Sequence, residues 1–389
     1  MPTDLDHSVG GVEHELRVST EVARVRRAPS PAASRVKRHP WFWLGVLFLL
    51  QLVFLFGLAE FVASFFLPPG LHYRNPQPIM EPHPARVYTP KAHQRAFTID
   101  RPYVTNSLGF RDEREFGGGT DKTRILVLGD SITAGIGVSG EETYAGRLES
   151  LLGRRGVPVE VINAGVTGYG LWQEVDLFKE KGRLVKPDVV VLQMHWNDLY
   201  PKPSEIVPPP RDISLDERST IHKSLRVLKR SRVLSFMRER FAALRNQLWP
   251  SFDWEHRRTI LEGRTTPYLE QAFVDAEQSL ADFAALRRDG IVPILLVVPI
   301  PMQVRDAHPL TTEFQQRVGA LAARLGLRMV DPLPALREAF ANSGELYVPW
   351  DYEHYAPAGH DAVAGVLERY LLDERLLAPS GSSSGTGSL

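Results

Sequence analysis

The sequence predicts an α/β domain, a parallel sheet covered on both faces by helices, preceded by one transmembrane helix. Three observations predict it. Short, continuous apolar runs alternate with helix-length stretches from residue 103 onward. One long apolar run, Trp41–Leu67, lies ahead of them. Glycine, serine and asparagine stand at the carboxyl ends of the first three runs, where an α/β sheet binds its ligands.

Residues 1–40 are polar and rich in Ala, Ser, Pro and Arg, and read as a disordered cytoplasmic tail. The run WFWLGVLFLLQLVFLFGLAEFVASFFL at 41–67 exceeds the roughly 20 apolar residues that a bilayer-spanning helix needs. It is long for a signal-peptide core and lacks a small-x-small end, so an uncleaved anchor is expected. Arg24, Arg26, Arg27, Arg35, Lys37 and Arg38 precede it, whereas only Arg74 and Arg86 follow closely. This asymmetry places the N-terminus in the cytoplasm and everything after residue 68 outside it, in the periplasm or at the cell surface. Residues 68–102 are proline-rich and read as an extended stalk or wrapping segment.

The strand runs are Arg124–Leu128, Val159–Asn163, Asp188–Met194, Ile291–Val298 and Arg328–Val330. Helices are expected near 141–155, 171–184, 269–289, 311–325 and 358–372. Strands without polar alternation, separated by helices, indicate a parallel sheet buried on both sides. The domain spans 103–375 and is interrupted at about 200–265 by an insertion that opens with Pro208-Pro209-Pro210 and becomes helical and basic. The insertion reads as a solvated helix pair, or more sharply as a lid or a basic amphipathic surface lying on the membrane. Residues 376–389 are a disordered linker-like tail.

Composition closes several routes. Lysine plus arginine equal aspartate plus glutamate at 46 each, which gives no support to nucleic acid as a partner. With no cysteine, thiolate catalysis, disulfides and iron–sulfur clusters are excluded.

Four segments carry chemistry. Gly129-Asp130-Ser131 follows the first strand; alone it reads equally as a turn with a helix cap. Asn163-Ala-Gly165-Val-Thr-Gly168 follows the second, either as a glycine turn or as a bare backbone N–H aimed at a substrate oxygen. His195-Trp196-Asn197-Asp198 follows the third, either as turn chemistry or as an amide donor to an oxyanion. Asp351-Tyr-Glu-His354 precedes the last helix. A serine hydroxyl needs an imidazole to take its proton and a carboxylate to fix that imidazole, and Asp351 and His354 on one loop supply both. A lone Asp-x-x-His also reads as solvated loop residues or a metal pair, but no second ligand cluster accompanies it. His360 reads as packing or capping at the last helix.

In this order the four segments resemble the blocks of the SGNH/GDSL hydrolase superfamily over residues 103–373, the insertion excepted. Asn106–Asp112 (NSLGFRD) is similar to a stretch ahead of the first block in bacterial membrane-bound members. The resemblance implies a flavodoxin-like three-layer α/β/α sandwich of about five parallel strands. It implies Ser131 as nucleophile, His354 as base and then acid, Asp351 as the group that orients His354, and an oxyanion hole from the Ser131 and Gly168 N–H groups and the Asn197 side chain. No cofactor or metal is expected. The family often has glycine where this chain has Trp196, so a bulkier, more aromatic pocket is expected. The implied activity is hydrolysis of O-acyl esters, acetyl or short-chain, on a glycan or lipid substrate, with the bilayer contacted through 41–67. O-acyltransfer to envelope or exopolysaccharide glycans, a lipase or lysophospholipase, and a non-catalytic glycan-binding protein are the alternatives.

Overall fold

The computed structural model describes residues 40–203, 213–214, 228–305, 311–351 and 353–377. The tails expected at 1–40 and 376–389 lie almost wholly outside these residues, as does Pro208-Pro209-Pro210. The chain forms two compact units, Met1–Leu55 and Phe56–Leu389.

Helix α1 (Pro40–Ala63) is apolar on every side. Trp41, Phe48 and Phe54 are 81%, 62% and 69% exposed, so no polar stripe separates a buried face from a wet one. It is long and apolar enough to cross a membrane.

Residues 68–102, read as a stalk or wrapping segment, form two antiparallel hairpins, the second running on to Val104. β1 (Ile79–His83) pairs with β2 (Val87–Pro90), and β3 (Arg95–Thr98) with β4 (Arg101–Val104). β5 (Thr123–Gly129) then enters the main sheet and runs into a single-turn helix α2 (Ser131–Ala134). Next come α3 (Tyr144–Arg154), β6 (Val159–Gly165), α4 (Leu171–Glu180) and β7 (Val189–Met194). Within the insertion, β8 (Ile213–Ser214) adds to β1. It is followed by α5 (Arg232–Leu248) and α6 (Phe252–Leu261). The latter half of α6 is not solvated: His256, Thr259, Ile260 and Leu261 are buried. The remaining elements are α7 (Pro267–Ala284), β9 (Val292–Val297), α8 (Pro301–Arg305), α9 (Glu313–Arg324), β10 (Arg328–Val330), α10 (Leu333–Ser343) and α11 (Pro357–Asp373).

The five long-sheet strands are all parallel, in the order β10-β9-β7-β5-β6. Successive side chains of a strand point to opposite faces. Ile125, Val127, Val189, Val191, Ile294 and Leu296 therefore join α3, α10 and α11 in one core. Leu126, Leu128, Val190, Leu192, Leu295 and Val297 join α4, α7 and α9 in the other. This is the three-layer, doubly wound arrangement. Its order reverses at β5, which pairs with β6 on one side and β7 on the other. A crevice at the carboxyl ends of β5 and β7 follows from that reversal.

Candidate active site

Ser131 and Asn197 stand on the two sides of this crevice, directly after β5 and β7. Gly129 makes the tight turn possible: a Cβ there would lie 2.0 Å from Thr133 Oγ1 and 2.6 Å from Gln193 Oε1. Asp130 caps α2 through its Oδ1, which accepts from Ile132 N at 2.8 Å. The hydroxyl of Ser131 is thereby fixed at the first residue of α2 and kept partly open, at 9% exposure.

His354 arrives from the opposite direction on a closed loop. Val348 N donates to His354 O at 2.9 Å, Ala356 N to Leu346 O at 2.9 Å, and Tyr347 bridges Tyr355. His354 Nε2 lies 2.8 Å from Ser131 Oγ, and its Nδ1 lies 2.7 Å from Asp351 Oδ2. The other Asp351 oxygen accepts the Glu353 and His354 N–H groups, both at 3.2 Å. Burial alone would push the His354 pKa down, but the hydrogen bond and charge of Asp351, with Asp130 and Glu353, hold it above the ordinary 6.5. Burial likewise works to raise Asp351, and its hydrogen bond to His354 outweighs this and lowers it.

The remaining sequence candidates sit around this line. Asn197 Nδ2 donates to Asp130 Oδ2 at 2.8 Å, which orients the amide beside the serine turn. Gly168 has φ of +79°, where a side chain is strained, and a Cβ would meet Tyr88 Oη at 2.7 Å. The N–H groups of Ser131 and Gly168 take up no hydrogen bond among the described residues. Val166 N donates to Gly129 O at 2.9 Å, so the glycine loop leaves the sheet next to the serine turn. Tyr88 Oη donates to Thr167 O at 2.9 Å, so β2 steadies that loop from outside the sheet. Arg86 braces the same hairpin against α4, bonding Asp176 and Glu180, each at 2.7 Å.

Several contributors were not singled out from sequence. Arg111, in the Asn106–Asp112 stretch, is buried and donates to Ala134 O, to Gly135 O at 2.7 Å and to Val138 O at 2.6 Å. It clamps the chain leaving α2, and burial lowers its pKa to about 10. Beneath Asn197, Asp130, Glu174 and Asp198 are all buried. Burial, then their mutual repulsion, raises Glu174 and Asp198 well above the usual carboxylate range. Glu174 had a readable signal: with Leu171, Val175 and Phe178 it occupies the core-facing side of α4. His195 beside them is kept neutral, its pKa pushed down by burial to about 3. His360 packs, and it does not cap the last helix, in which it lies: it stacks on Tyr144, and its Nδ1 accepts the Tyr144 N–H at the start of α3 at 3.1 Å.

Trp196 fills the place beside Asn197. Its Nε1 donates to Glu353 Oε1 at 2.6 Å, and the Arg257 guanidinium lies over its ring at 5.4 Å. Tyr200 and His256 extend the aromatic wall. On the other side of the loop that carries Asp351 and His354, Trp350 takes a φ of +61° and its Nε1 donates to Pro69 O at 3.0 Å. A cavity of about 670 Å³ lined by Arg114, Glu141, Glu149 and Asn163 does not include Ser131 or His354. Its Arg114 and Glu149 are already paired at 2.7 Å. Among the described residues no group of histidine, aspartate and glutamate side chains could hold a metal ion.

A hydroxyl, an imidazole and a carboxylate in one hydrogen-bonded line at the switch point of a flavodoxin-like sheet define the arrangement of a serine ester hydrolase. The chain belongs to the GDSL-like lipase/acylhydrolase family, whose profile matches residues 127–362. It is an ester-hydrolysing enzyme. No curated protein matches it. Among solved structures it is similar to TesA at 19% identity, covering 66% of this chain and 100% of that one, with a TM-score of 0.38. LAE5, an alpha/beta hydrolase enzyme from the metagenome of Lake Arreo, is 18% identical over 66% of this chain and 96% of its own, with a TM-score of 0.38. Axe2, an acetylxylan esterase from Geobacillus stearothermophilus, is 19% identical over 66% and 95%, with a TM-score of 0.39.

Proposed function

We propose that this chain is a membrane-anchored, extracytoplasmic serine esterase that removes acetyl or other short O-acyl groups from envelope glycans. The observation that carries the catalytic part is the unbroken relay from Ser131 Oγ through His354 to Asp351, at 2.8 and 2.7 Å. In the neutral tautomer that serves catalysis, His354 Nδ1–H donates to Asp351 and Nε2 accepts from the Ser131 hydroxyl. Ser131 Oγ attacks the ester carbonyl as its proton passes to Nε2. The oxyanion forms against the N–H groups of Ser131 and Gly168 and the second Asn197 amide hydrogen. The alcohol leaves with the proton from Nε2. Water then attacks the acyl-enzyme, His354 takes its proton and returns it to Ser131, and the acid departs.

The short-acyl reading is supported by the bulk of the Trp196 indole next to Asn197, fixed there by its hydrogen bond to Glu353. The anchor is supported by the exposed apolar surface of α1, and the orientation by the six basic residues between positions 24 and 38. Of the two basic residues that follow closely, Arg86 is buried in ion pairs.

The test is p-nitrophenyl acetate hydrolysis by the full chain in detergent, wild type against Ser131→Ala. A loss of at least about 10³-fold is expected, with an unchanged circular dichroism spectrum. Fluorophosphonate labelling should disappear with it, and undiminished hydrolysis would overturn the nucleophile. Adding a sugar acceptor separates the alternative: acyl ester formed on the sugar faster than free acid identifies an acyltransferase.

A further inference from the structure

Helix α5 is inside out for a helix of a water-soluble domain. At about 100° per residue, Ser235, Glu239, Ala242 and Asn246 share one stripe, and all four are buried or half-buried. Met237, Phe241, Leu244 and Leu248 share the opposite stripe and are 59%, 69%, 51% and 57% exposed. The polar, small-residue side of the helix is thus the more covered one, and the apolar side is the one turned outward. Trp249 and Phe252, also exposed, continue the apolar surface past the helix end. An apolar stripe turned outward is unfavourable in water and needs an apolar counterpart.

Two further observations say which counterpart. The first is charge. Of the five ionisable residues of α5, four are arginines and one is Glu239. Arg238 and Arg245 flank the apolar stripe on one side and Arg240 on the other, the last with its guanidinium 5.2 Å above Phe236. Apolar stripe and basic shoulders together form the pattern of a helix lying at the surface of an anionic bilayer. The second is attachment. Glu60, near the carboxyl end of α1, caps α5 together with Ser231, whose hydroxyl accepts the Leu234 N–H at 2.9 Å. Its carboxylate accepts the Ser231 hydroxyl and the N–H groups of Arg232 and Val233, both at 3.1 Å. A carboxylate at a helix N-terminus satisfies orphan N–H groups and the helix dipole together. Arg232 Nε also donates to Leu67 O at 3.0 Å, and Gly70 N donates to Arg230 O at 3.3 Å. The start of α5 is therefore held against the point where the chain leaves α1.

We propose that the outer face of α5, with Trp249 and Phe252, lies on the lipid surface from which α1 emerges and seats the catalytic domain against the bilayer. This rests on the reading of α1 as a membrane span. Glu60 sets the height: it stands three residues before the end of α1, where a carboxylate reaches the headgroup layer. The helix that it caps begins at that level. The seat also reaches the catalytic loop, because Pro69, between α1 and the Arg230 contact, accepts the hydrogen bond of Trp350, the neighbour of Asp351.

The chain has no cysteine, so one introduced thiol marks one place. Single variants Phe54→Cys, Asp121→Cys, Phe241→Cys and Leu244→Cys of the full chain would carry a nitroxide in phosphatidylcholine–phosphatidylglycerol vesicles. Oxygen and a water-soluble nickel complex serve as the two relaxants. The labels at 241 and 244 should collide with oxygen and be shielded from nickel, with nickel accessibility roughly fivefold or more below that at the exposed loop position 121. Position 54 should read as bilayer interior. Nickel accessibility at 241 and 244 equal to that at 121, with 54 in lipid, overturns the seat and leaves the anchor standing. Nickel access at 54 overturns the anchor, and the seat with it. Shielding of 241 and 244 from both relaxants, or dipolar broadening between labels, means that protein covers the stripe, either residues 204–227 or a second copy, and also overturns the proposal.

Discussion

Replacing Asp351 by Asn tests the relay where its chemistry is most exposed. The substitution preserves shape and leaves an oxygen able to accept the Glu353 and His354 N–H groups, both at 3.2 Å in the wild type. The nitrogen then faces His354 Nδ1 across a distance that is 2.7 Å in the wild type. An amide donor there requires Nδ1 to accept, which moves the ring proton to Nε2. The imidazole then presents a donor to Ser131 where it must present an acceptor. A wrong tautomer of this kind costs about 10⁴-fold in kcat, equivalent to about 5.4 kcal/mol of barrier. A second effect concerns pH. Protonated His354 cannot act as base, so kcat/KM falls as pH drops through its pKa. With that pKa held above 6.5, the acid limb of the wild type has its midpoint above pH 6.5. Removing the Asp351 charge takes away the largest influences that raise it, so the limb of the residual activity moves to lower pH. The assay is p-nitrophenyl acetate hydrolysis from about pH 5 to 9, full chain in detergent. A loss below tenfold, or a limb that stays in place, would refute the tautomer argument.

Two other substitutions probe the surroundings. The folded protein keeps a proton on Glu174, whose pKa burial raises well above 4.5, while the unfolded chain releases it. Stability therefore falls as pH rises from about 4.5 until the buried carboxyl ionises, and Glu174→Gln should flatten the decline of Tm between about pH 5 and 7; parallel Tm curves would show that the proton resides elsewhere. Trp196→Gly removes the indole beside Asn197 and should raise the octanoate-to-acetate ratio of kcat/KM by about tenfold or more. An unaltered chain-length profile would mean that Trp196 does not bound the acyl site.

The sheet was legible because burial on both faces leaves a strand almost no polar residues, so RILVL and DVVVLQM announce themselves. Ser131, Asp351, His354, Gly168 and Asn197 were legible because each stands at a strand end or on one short loop with fixed spacing. The hairpins β1 to β4 were not. Their strands are four or five residues long, mix exposed and buried positions, and contain Pro82, Pro90 and Pro102, which read as breaks. Helix α10 was hidden by Pro332 and Pro334, yet proline is tolerated in a first helical turn, where its missing N–H costs nothing. The buried carboxylates depend on which helix face meets the sheet edge. The cap from Glu60 to α5 joins residues 171 to 173 positions apart and leaves no periodic trace.

If α1 is the proposed anchor, Trp350 gives that tether a meaning beyond attachment. Its positive φ is a conformation that an aromatic residue adopts at a cost of roughly 1 kcal/mol or more, and it persists only where surroundings over-determine it. One of those surroundings is the carbonyl of Pro69, upstream of every segment that carries the chemistry. A protease that sheds the domain by cutting just after Pro69 would release this acceptor along with the anchor, and with it the Glu60 cap of α5. Release from the membrane would then act as an off-switch rather than a change of address. A soluble form that keeps its native turn into Asp351 has to retain the chain from the last turns of α1 onward.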